Sequence, residues 1–369
     1  MSKGANHVKS ANSSDIAVSS ALIDMLDVKT AVKSSGRLEQ VKFFNGGEYK
    51  SYKQMGNTVL KKEDLERVSI DTPSGTRYFK RVSNDEIEKL NDLKNADNKG
   101  FKGCAYCQTN KDGKLIDKNG DVIKQHSGQT VPTYFVFPGY TDNPLNSSPQ
   151  TKAMYAVGDG QLYPPVVKVK QFMESVRSEM KSDGYGSIQV NTIAHSMGSA
   201  NALMAVVAAR ESGMPVGTSK YIEPIAGSLA EAKIKQTFSG NSAGLSESQK
   251  ELKSQFPHTN AQDVSHALNR QADNTLSIRS VKTDKHGEIE FSKVSYLRAY
   301  EGEDITSRDA WNFRMGNRKT ALLGSEGIPD KYRYPSNQPP HGEVVYLDMT
   351  KKIGRREPKT CSRFPFLSG

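Results

Sequence analysis

The segment around Ser196 has the residue types and spacing of a nucleophilic serine site. An apolar, β-branched run over 188–193 leads into Ala-His-Ser-Met-Gly, centred on Ser196, and a helix-forming run of small residues over 200–210 follows. In a nucleophile elbow the serine stands on a strained turn between a strand and a helix, so the residues two before and two after it must be small. Ala194 and Gly198 meet this requirement. The pattern therefore predicts a serine presented on such a turn.

The start of the predicted helix supplies a second catalytic element. Its dipole and the Met197 N–H would stabilise an oxyanion formed on a substrate carbonyl. The plainer alternative is a serine that merely begins a helix, with His195 as a partly buried side chain whose hydrogen bonds are satisfied. His195 is not assigned as the base, because its position beside the serine points it away from the hydroxyl at such a turn.

A serine hydroxyl needs a histidine to remove its proton and a carboxylate to orient that histidine. In this architecture the chain order is serine, acid, histidine. Four histidines follow the serine: His258, His266, His286 and His341. The first three lie in a polar stretch, whereas His341 stands in a loop that enters the apolar run 344–346. The pattern favours His341 as the base.

The carboxylate is expected at the end of another strand. The apolar run 295–300 predicts that strand, and active sites of open α/β sheets collect at the carboxyl ends of strands. The loop that follows begins at Glu301, and the acids compared there are Glu303, Asp304 and Asp309. Asp304 is preferred because it follows the turn at Gly302 and precedes a return to apolar sequence. The alternative for each acid is a solvated loop charge.

The elements around these residues predict an α/β fold. Compact β-branched and aromatic runs predict buried strands at 133–137, 187–193, 221–225 and 294–300. Apolar residues at spacings of three and four predict a helix after Pro164 and Pro165; they are Val166, Val169, Phe172, Val176 and Met180. Alternating strands and helices are typical of a mostly parallel sheet with helices on both faces.

Composition and element order divide the chain into five parts. Residues 1–100 are predicted to form a partly flexible N-terminal accessory region, beginning with either a frayed arm or one docking helix. The α/β core is predicted over 101–229 and 293–350. The polar segment 230–292 is expected to interrupt the sheet without adding a core and to lie where a cap or lid could cover the serine. Residues 351–369 are predicted to form a C-terminal tail.

Two short patterns partly match the spacing of metal ligands, but for each of them an ordinary element of the fold is the better explanation. Cys104 and Cys107 have zinc-knuckle spacing, but no second cysteine or histidine pair follows at a usable distance, so a packed strand is the better account. The segment 117–121 resembles part of a calcium loop but lacks the glutamate at its twelfth position, which favours a hairpin. No metal is expected.

Charge and length limit the possible functions. The chain has 369 residues and a formal net charge of +10, which suits an anionic lipid surface or nucleic acid. Without aromatic interleaving or a nucleic-acid fold signature, no nucleic-acid partner is expected. No run approaches the roughly 18 apolar residues of a membrane-spanning helix, and the first 30 residues lack the pattern of a signal peptide. We therefore expect cytoplasmic synthesis, with export by a dedicated secretion system left open.

Four segments together resemble the class 3 lipases, the fungal-lipase-like branch of the α/β-hydrolases. Residues 134–141, Tyr-Phe-Val-Phe-Pro-Gly-Tyr-Thr, are similar to that family's strand ending in Phe-Arg-Gly-Thr, and 194–198 to its Gly-His-Ser-Leu-Gly. Residues 294–305 are similar to its strand followed by Asp. Residues 341–346, the most specific match, are similar to its His before Gly, Glu and Tyr. The resemblance covers roughly 101–348.

The resemblance implies an α/β-hydrolase fold in which Ser196, Asp304 and His341 form the catalytic triad. It also implies that the backbone N–H groups of Tyr140 and Met197 bind the oxyanion. It implies no cofactor.

The function expected from these residues is a serine esterase that hydrolyses acyl esters of lipids through an acyl-enzyme. Triacylglycerol lipase and phospholipase A are both open, as are an acyltransferase or thioesterase with the same triad and a non-catalytic module that binds a lipid or protein. The expected partners are a lipid or phospholipid substrate and an anionic membrane surface. A delivered effector neutralised by an inhibitory partner protein is also open. The chain departs from the family pattern at Pro138, where Arg is usual, and at Ala194, where Gly is usual.

Overall fold

The computed structural model describes residues 13–27, 38, 40–56, 60–139, 148–158, 161–222, 227–240, 243–283, 289–291 and 343–348. The helices within these ranges are α1 (Ser13–Asp27), α2 (Asp85–Leu90), α3 (Pro149–Gly158), α4 (Val169–Ser182), α5 (Gly198–Glu211), α6 (Gly227–Thr237), α7 (Glu247–Gln255) and α8 (Ala261–Ala272). The strands are β1 (Val41–Asn45), β2 (Glu48–Ser51), β3 (Arg67–Thr72), β4 (Gly75–Val82), β5 (Cys104–Thr109), β6 (Thr130–Phe137), β7 (Ser187–His195), β8 (Val216–Ile222), β9 (Thr275–Thr283), β10 (Ile289–Phe291) and β11 (Glu343–Asp348).

All of these strands belong to one mixed sheet. Its order is β10-β9-β8-β7-β6-β5-β4-β3-β1-β2, with β11 also paired to β9. Strands β6, β7, β8, β9 and β11 are parallel to one another. Strands β1 to β5 are antiparallel neighbours, and β5 joins the parallel part through antiparallel pairing with β6. The predicted α/β alternation is thus confirmed, and the N-terminal strands extend the same sheet.

Helices α2 to α8 pack on one face of the sheet. The parallel strands follow one another across the sheet in chain order, so each crossover moves in the same direction, and right-handed crossovers then all lie on one face. A single apolar cluster joins these helices to the sheet. The predicted stripe of α4 is confirmed, because Phe172, Val176 and Met180 are buried in this cluster. Helix α5 is apolar nearly all round and is buried along almost its whole length, as its composition predicts.

The opposite face is covered by α1. This helix contacts β3, β6, β7 and β8 and contributes to a second apolar cluster, which includes Phe43, Tyr106 and Ile193 of the sheet. Ala17 and Leu22 of α1 are fully buried. A short helix that is apolar on most sides is stable only when it is enclosed. For Ser13–Asp27 the structure therefore shows the docking helix, not the frayed arm.

Charged side chains hold both ends of α1 against the sheet. An Asp15 oxygen lies 2.8 Å from Arg77 Nη1 of β4, and the other lies 3.3 Å from Lys220 Nζ of β8. Burial alone would raise the pKa of Asp15, but the charges and hydrogen bonds of Lys220 and Arg77 outweigh it, so this pKa lies below its ordinary value. Burial lowers the pKa of Lys220, which Asp15 partly opposes. At the other end of α1, Lys102 Nζ donates to the Leu26 carbonyl.

The segment 230–292 differs from the predicted insertion. Its helices α7 and α8, together with most of α6, add buried side chains to the main cluster, among them Ile234, Leu252 and Val264. Its strand β9 lies within the sheet, beside β8 and β11. The expectation that this segment adds no core is therefore wrong, because its polar composition hid the one apolar stripe of each amphipathic helix.

The strand predicted at 294–300 lies outside the described residues. No helix in the described ranges is long and apolar enough to cross a membrane.

Replacing Asp15 by Asn should lower the free energy of unfolding by about 1–3 kcal/mol. The substitution leaves the largely buried charge of Lys220 without its counter-charge, and an uncompensated buried charge is costly. Denaturant unfolding at pH 7 measures the change. Adding Lys220→Met to Asp15→Asn removes that charge and should recover part of the loss. Equal stability of Asp15→Asn and the wild type would contradict the role of this ion pair.

The same pair predicts a pH dependence. Because folding lowers the pKa of Asp15, its carboxylate stabilises the fold above the pKa of the unfolded chain, about 3.9, and this contribution is lost as the pH falls through the lower pKa of the folded state. The stability difference between wild type and Asp15→Asn should be full near pH 6 and shrink below about pH 4. A difference that stays constant to pH 2 would rule out this linkage.

Candidate functional site

Ser196 lies on a strained turn between a strand and a helix. Strand β7 ends at His195 and helix α5 begins at Gly198. The φ angle of Ser196 is +51°, in the left-handed region, and in the described part of the chain only Lys99 and His126 share a positive φ among non-glycine residues. Such backbone strain persists where the surrounding structure imposes it, and it is concentrated at functional sites. The side chain of Ser196 is half-buried and so reaches the surface at the carboxyl end of the parallel strands.

Two glycines permit the close approach of chain segments at this turn. A methyl group added to Gly198 would stand 2.2 Å from Phe137 O and 2.6 Å from Pro138 O. A methyl group added to Gly139 would stand 2.9 Å from Ser196 Cβ and 3.0 Å from His195 Nδ1. The end of β6 therefore lies directly against the beginning of α5. The predicted need for a small residue two positions after the serine is confirmed, and it arises from contact with the carbonyl groups of Phe137, the last residue of β6, and of Pro138.

Backbone hydrogen bonds hold the turn from both sides. Ser196 N donates to Ile222 O of β8 at 3.1 Å. Ser196 O accepts from Ser199 N at 3.1 Å and from Ser199 Oγ at 2.8 Å. Met197 stands at the position that precedes α5 and is buried, so its N–H lies at the positive end of the helix dipole. The turn is therefore held through its backbone, by β8 on one side and by the first turn of α5 on the other.

A cluster of aromatic rings packs beneath the turn. The Phe172 ring of α4 lies 6.0 Å from that of Phe137, 5.7 Å from that of Phe135 and 5.3 Å from that of Phe101, in edge-on or tilted arrangements. All four side chains are fully buried. Rigid rings in close packing fix the end of β6, and through its contact with Gly198 they fix the start of α5.

The structure describes two of the five predicted site residues. Ser196 and Met197 lie together at the turn, as predicted. Tyr140, Asp304 and His341 lie outside the described residues. His195, which was not assigned as the base, lies beside Gly139.

The register of β11 places a further acidic residue at the end of a strand, one that the sequence analysis did not single out. The first residue of β11, Glu343, is level with Ile193 of β7, three residues before the serine. The pairing runs across the sheet through Leu276 of β9 and Lys220 of β8. Strand β11 runs from this level toward the carboxyl edge and ends at Asp348, which pairs with Val281. Asp348 follows an apolar strand, the same signal that pointed to Asp304, so the sequence contained what was needed to find it.

The two cysteines of β5 cannot share a metal ion. Cys104 belongs to the apolar cluster under α1, whereas Cys107 belongs to the cluster under α2 to α8, so the two side chains lie on opposite faces of the sheet. Burial raises the pKa of Cys107 to about 12. The packed strand favoured by the sequence is confirmed. Within the described ranges, no group of three or more potential ligands is placed to hold a metal ion.

The segment 117–121 is a hairpin turn, as predicted. Ile116 and Val122 form an antiparallel bridge on either side of it. Asp117 Oδ1 accepts from Asn119 N at 2.8 Å and from Asp121 N at 2.9 Å. The carboxylate thus closes its own turn.

A polar pocket lies away from the serine. It is lined on one side by Lys80 and Ser83 and on the other by Glu179 and Tyr185. Tyr185 lies two residues before the start of β7, whereas Ser196 directly follows its end. The pocket is therefore at the opposite end of that strand and does not belong to the serine site.

Comparisons with protein-family models, with curated proteins and with solved structures find no match to this chain.

Replacing Gly198 by Ala should lower the free energy of unfolding by about 2–3 kcal/mol. The added methyl group meets the backbone carbonyl oxygens of Phe137 and Pro138, which cannot rotate away as a flexible side chain could. Thermal or denaturant unfolding measures the loss. Gly186→Ala is the matched control: its methyl group approaches Gly128 Cα at 3.1 Å, and the cost should stay below about 1 kcal/mol. A Gly198→Ala variant no less stable than the control would contradict the close approach.

Proposed function

We propose that this protein is a serine hydrolase of the α/β-hydrolase type that cleaves acyl esters of lipids. The observation that carries the proposal is the left-handed backbone of Ser196 on the turn from β7 into α5. A serine that only begins a helix has no need of this conformation, because the N-cap position is ordinarily extended. A nucleophile elbow needs it to lift the hydroxyl above the sheet edge.

The proposed reaction begins with attack of Ser196 Oγ on the ester carbonyl. The carbonyl oxygen becomes an oxyanion, which the Met197 N–H and the dipole of α5 stabilise, together with the N–H of Tyr140. His341 takes the proton from the hydroxyl and returns it to the leaving alcohol, while Asp304 orients the imidazole. Water then hydrolyses the acyl-enzyme by the same route in reverse order.

The proposal also names a lipid as the substrate. It rests on the resemblance to the class 3 lipases and on the formal net charge of +10, which favours adsorption to an anionic bilayer. Triacylglycerols and phospholipids both fit, the latter by phospholipase A chemistry. An acyltransferase or thioesterase would use the same serine, so the choice among them depends on the substrate pocket.

A non-catalytic lipid-binding module is the second candidate, and the net positive charge is the observation that favours it. Such a module would bind anionic vesicles without an activated serine. The two candidates therefore differ in the reactivity of Ser196 and agree in lipid binding.

Labelling with a fluorescent fluorophosphonate tests the proposal. Wild type should be labelled, and Ser196→Ala should lose the label completely, because the probe reacts only with an activated serine. Ser178→Ala, a change at an exposed serine of α4, is the matched control and should label as wild type does. Hydrolysis of a phospholipid and of a triacylglycerol emulsion is read in parallel. An unlabelled wild type that still binds anionic vesicles would favour the binding module.

Variants of the remaining residues test the assignment of the base and the acid. His341→Ala should slow labelling at least about a hundredfold, since general-base catalysis contributes that much. Asp304→Asn and Asp348→Asn are compared side by side, and the variant with the larger loss identifies the orienting carboxylate. Full labelling of His341→Ala would exclude His341 as the base.

A further inference from the structure

Strand β8 contains a bulge next to the strand that carries the serine. Val190 of β7 pairs with Val216 of β8, and Thr192 pairs with Ser219, so two steps along β7 match three steps along β8. The extra residue lies at Gly217 and Thr218. Bulges are uncommon in parallel pairs, and they occur near functional sites, where they re-aim the residues that follow.

Side chains from two other elements satisfy the backbone groups that the bulge removes from the ladder. Asn191 Oδ1 of β7 accepts from Thr218 N at 3.0 Å and from Thr218 Oγ1 at 3.3 Å. Gln271 Nε2 of α8 donates to Gly217 O at 2.8 Å and to Ser219 Oγ at 3.1 Å. Asn191 and Gln271 are buried, with 6% and 2% of their surface exposed. The bulge is thus held by two side chains that take no part in the backbone hydrogen bonds between the strands.

The bulge decides which faces the rest of β8 presents. A shift of one residue exchanges the two faces of a strand. With the bulge in place, Lys220 faces Asp15 of α1, and Tyr221 is buried under the crossover helices. Without it, these two side chains would exchange faces and bury an uncompensated charge.

The bulge also decides which carbonyl group meets the serine. Downstream of it, Ala194 pairs with Tyr221 and His195 pairs with Ile222. This register brings Ile222 O to 3.1 Å from Ser196 N. That hydrogen bond holds the strained residue from the side opposite to Gly139.

We propose that Asn191 and Gln271 are positioning residues, which set the register of β8 by holding the bulge and thereby hold Ser196 in its left-handed conformation. The proposal rests on the proposed hydrolase function only for its effect on reactivity. Its structural part, the coupling of Asn191 to the Ser196 amide, holds whether or not the protein is an enzyme.

The first test compares two variants of Asn191 that have nearly the same volume. Asn191→Leu removes the acceptor for Thr218 N, whereas Asn191→Asp keeps it. Hydrogen exchange of the peptide that contains the Ser196 amide should rise about tenfold in Asn191→Leu relative to wild type, because its bond to Ile222 O is lost on local opening. Asn191→Asp should protect that amide nearly as wild type does. Equal exchange in the two variants would overturn the proposal.

Fluorophosphonate labelling gives the second readout. A misplacement of about 1 Å can cost about a hundredfold in rate, so Asn191→Leu should label far more slowly than wild type. Asn191→Asp should label well even though a buried carboxylate makes it less stable. A purely structural role would make labelling follow thermal stability in both variants. Val264→Ala in α8 is the control, because it lowers stability through a cavity and should leave labelling and Ser196 exchange unchanged.

A double-mutant cycle isolates the contact between Asn191 and the bulge. A methyl group added to Gly217 would stand 2.3 Å from Asn191 Oδ1, so Gly217→Ala should displace the amide and reproduce the effect of Asn191→Leu. In an Asn191→Ala background the added methyl group meets only the end of the Gln189 side chain, at 3.1 Å, which can move aside, so the same change should have little further effect. Additive effects on Ser196 exchange would overturn the proposal.

An unlabelled wild type whose exchange data follow the predicted pattern would refute the hydrolase function and leave the positioning role intact.

Discussion

The contact between the end of β6 and the start of α5 is the constraint on which the serine site depends. Phe137 O stands close to where a side chain of residue 198 would begin, so any residue other than glycine is strongly disfavoured at the start of this helix. Because β6 and β7 are adjacent parallel strands in full register, the chain that leaves β7 must reverse direction within two residues to enter that helix. The left-handed conformation of Ser196 is the geometric result. The strain is sustained by packed rings below and by bonds to β8 and α5 on either side.

The direction in which the sheet is wound explains the rest of the architecture. Parallel strands that follow one another in one direction place all crossover helices on one face of the sheet. The opposite face of β6, β7 and β8 is also apolar and must be covered by another element. Helix α1 covers them, and Asp15 meets the cations of two strands that are far apart in sequence. The N-terminal segment is therefore part of the structure that supports β7 and the turn at Ser196.

Much of this arrangement could be predicted from local sequence. The strand, turn and helix around Ser196, the stripe of α4 and the packed strand of the two cysteines follow from residue type and spacing. The segment 230–292 was misjudged for a physical reason: an amphipathic helix needs only a narrow apolar stripe to join a core, and its average composition stays polar. The strand β9 contains the alternation of apolar and polar residues that is typical of a strand, at Leu276 and Ile278, but the polar average of the whole segment concealed it.

The sequence by itself determined the local elements, the elbow pattern and the candidate nucleophile, because periodicity, turn chemistry and small residues act over a few neighbours. Tertiary structure alone decided that the N-terminal strands join the same sheet, that α1 closes its open face and that a bulge in β8 aligns Ile222 with Ser196. These features depend on pairing between residues tens of positions apart. Many registers have similar local preferences, so the choice among them falls to contacts such as that of Asn191 with Thr218, which exist only once the chain has folded.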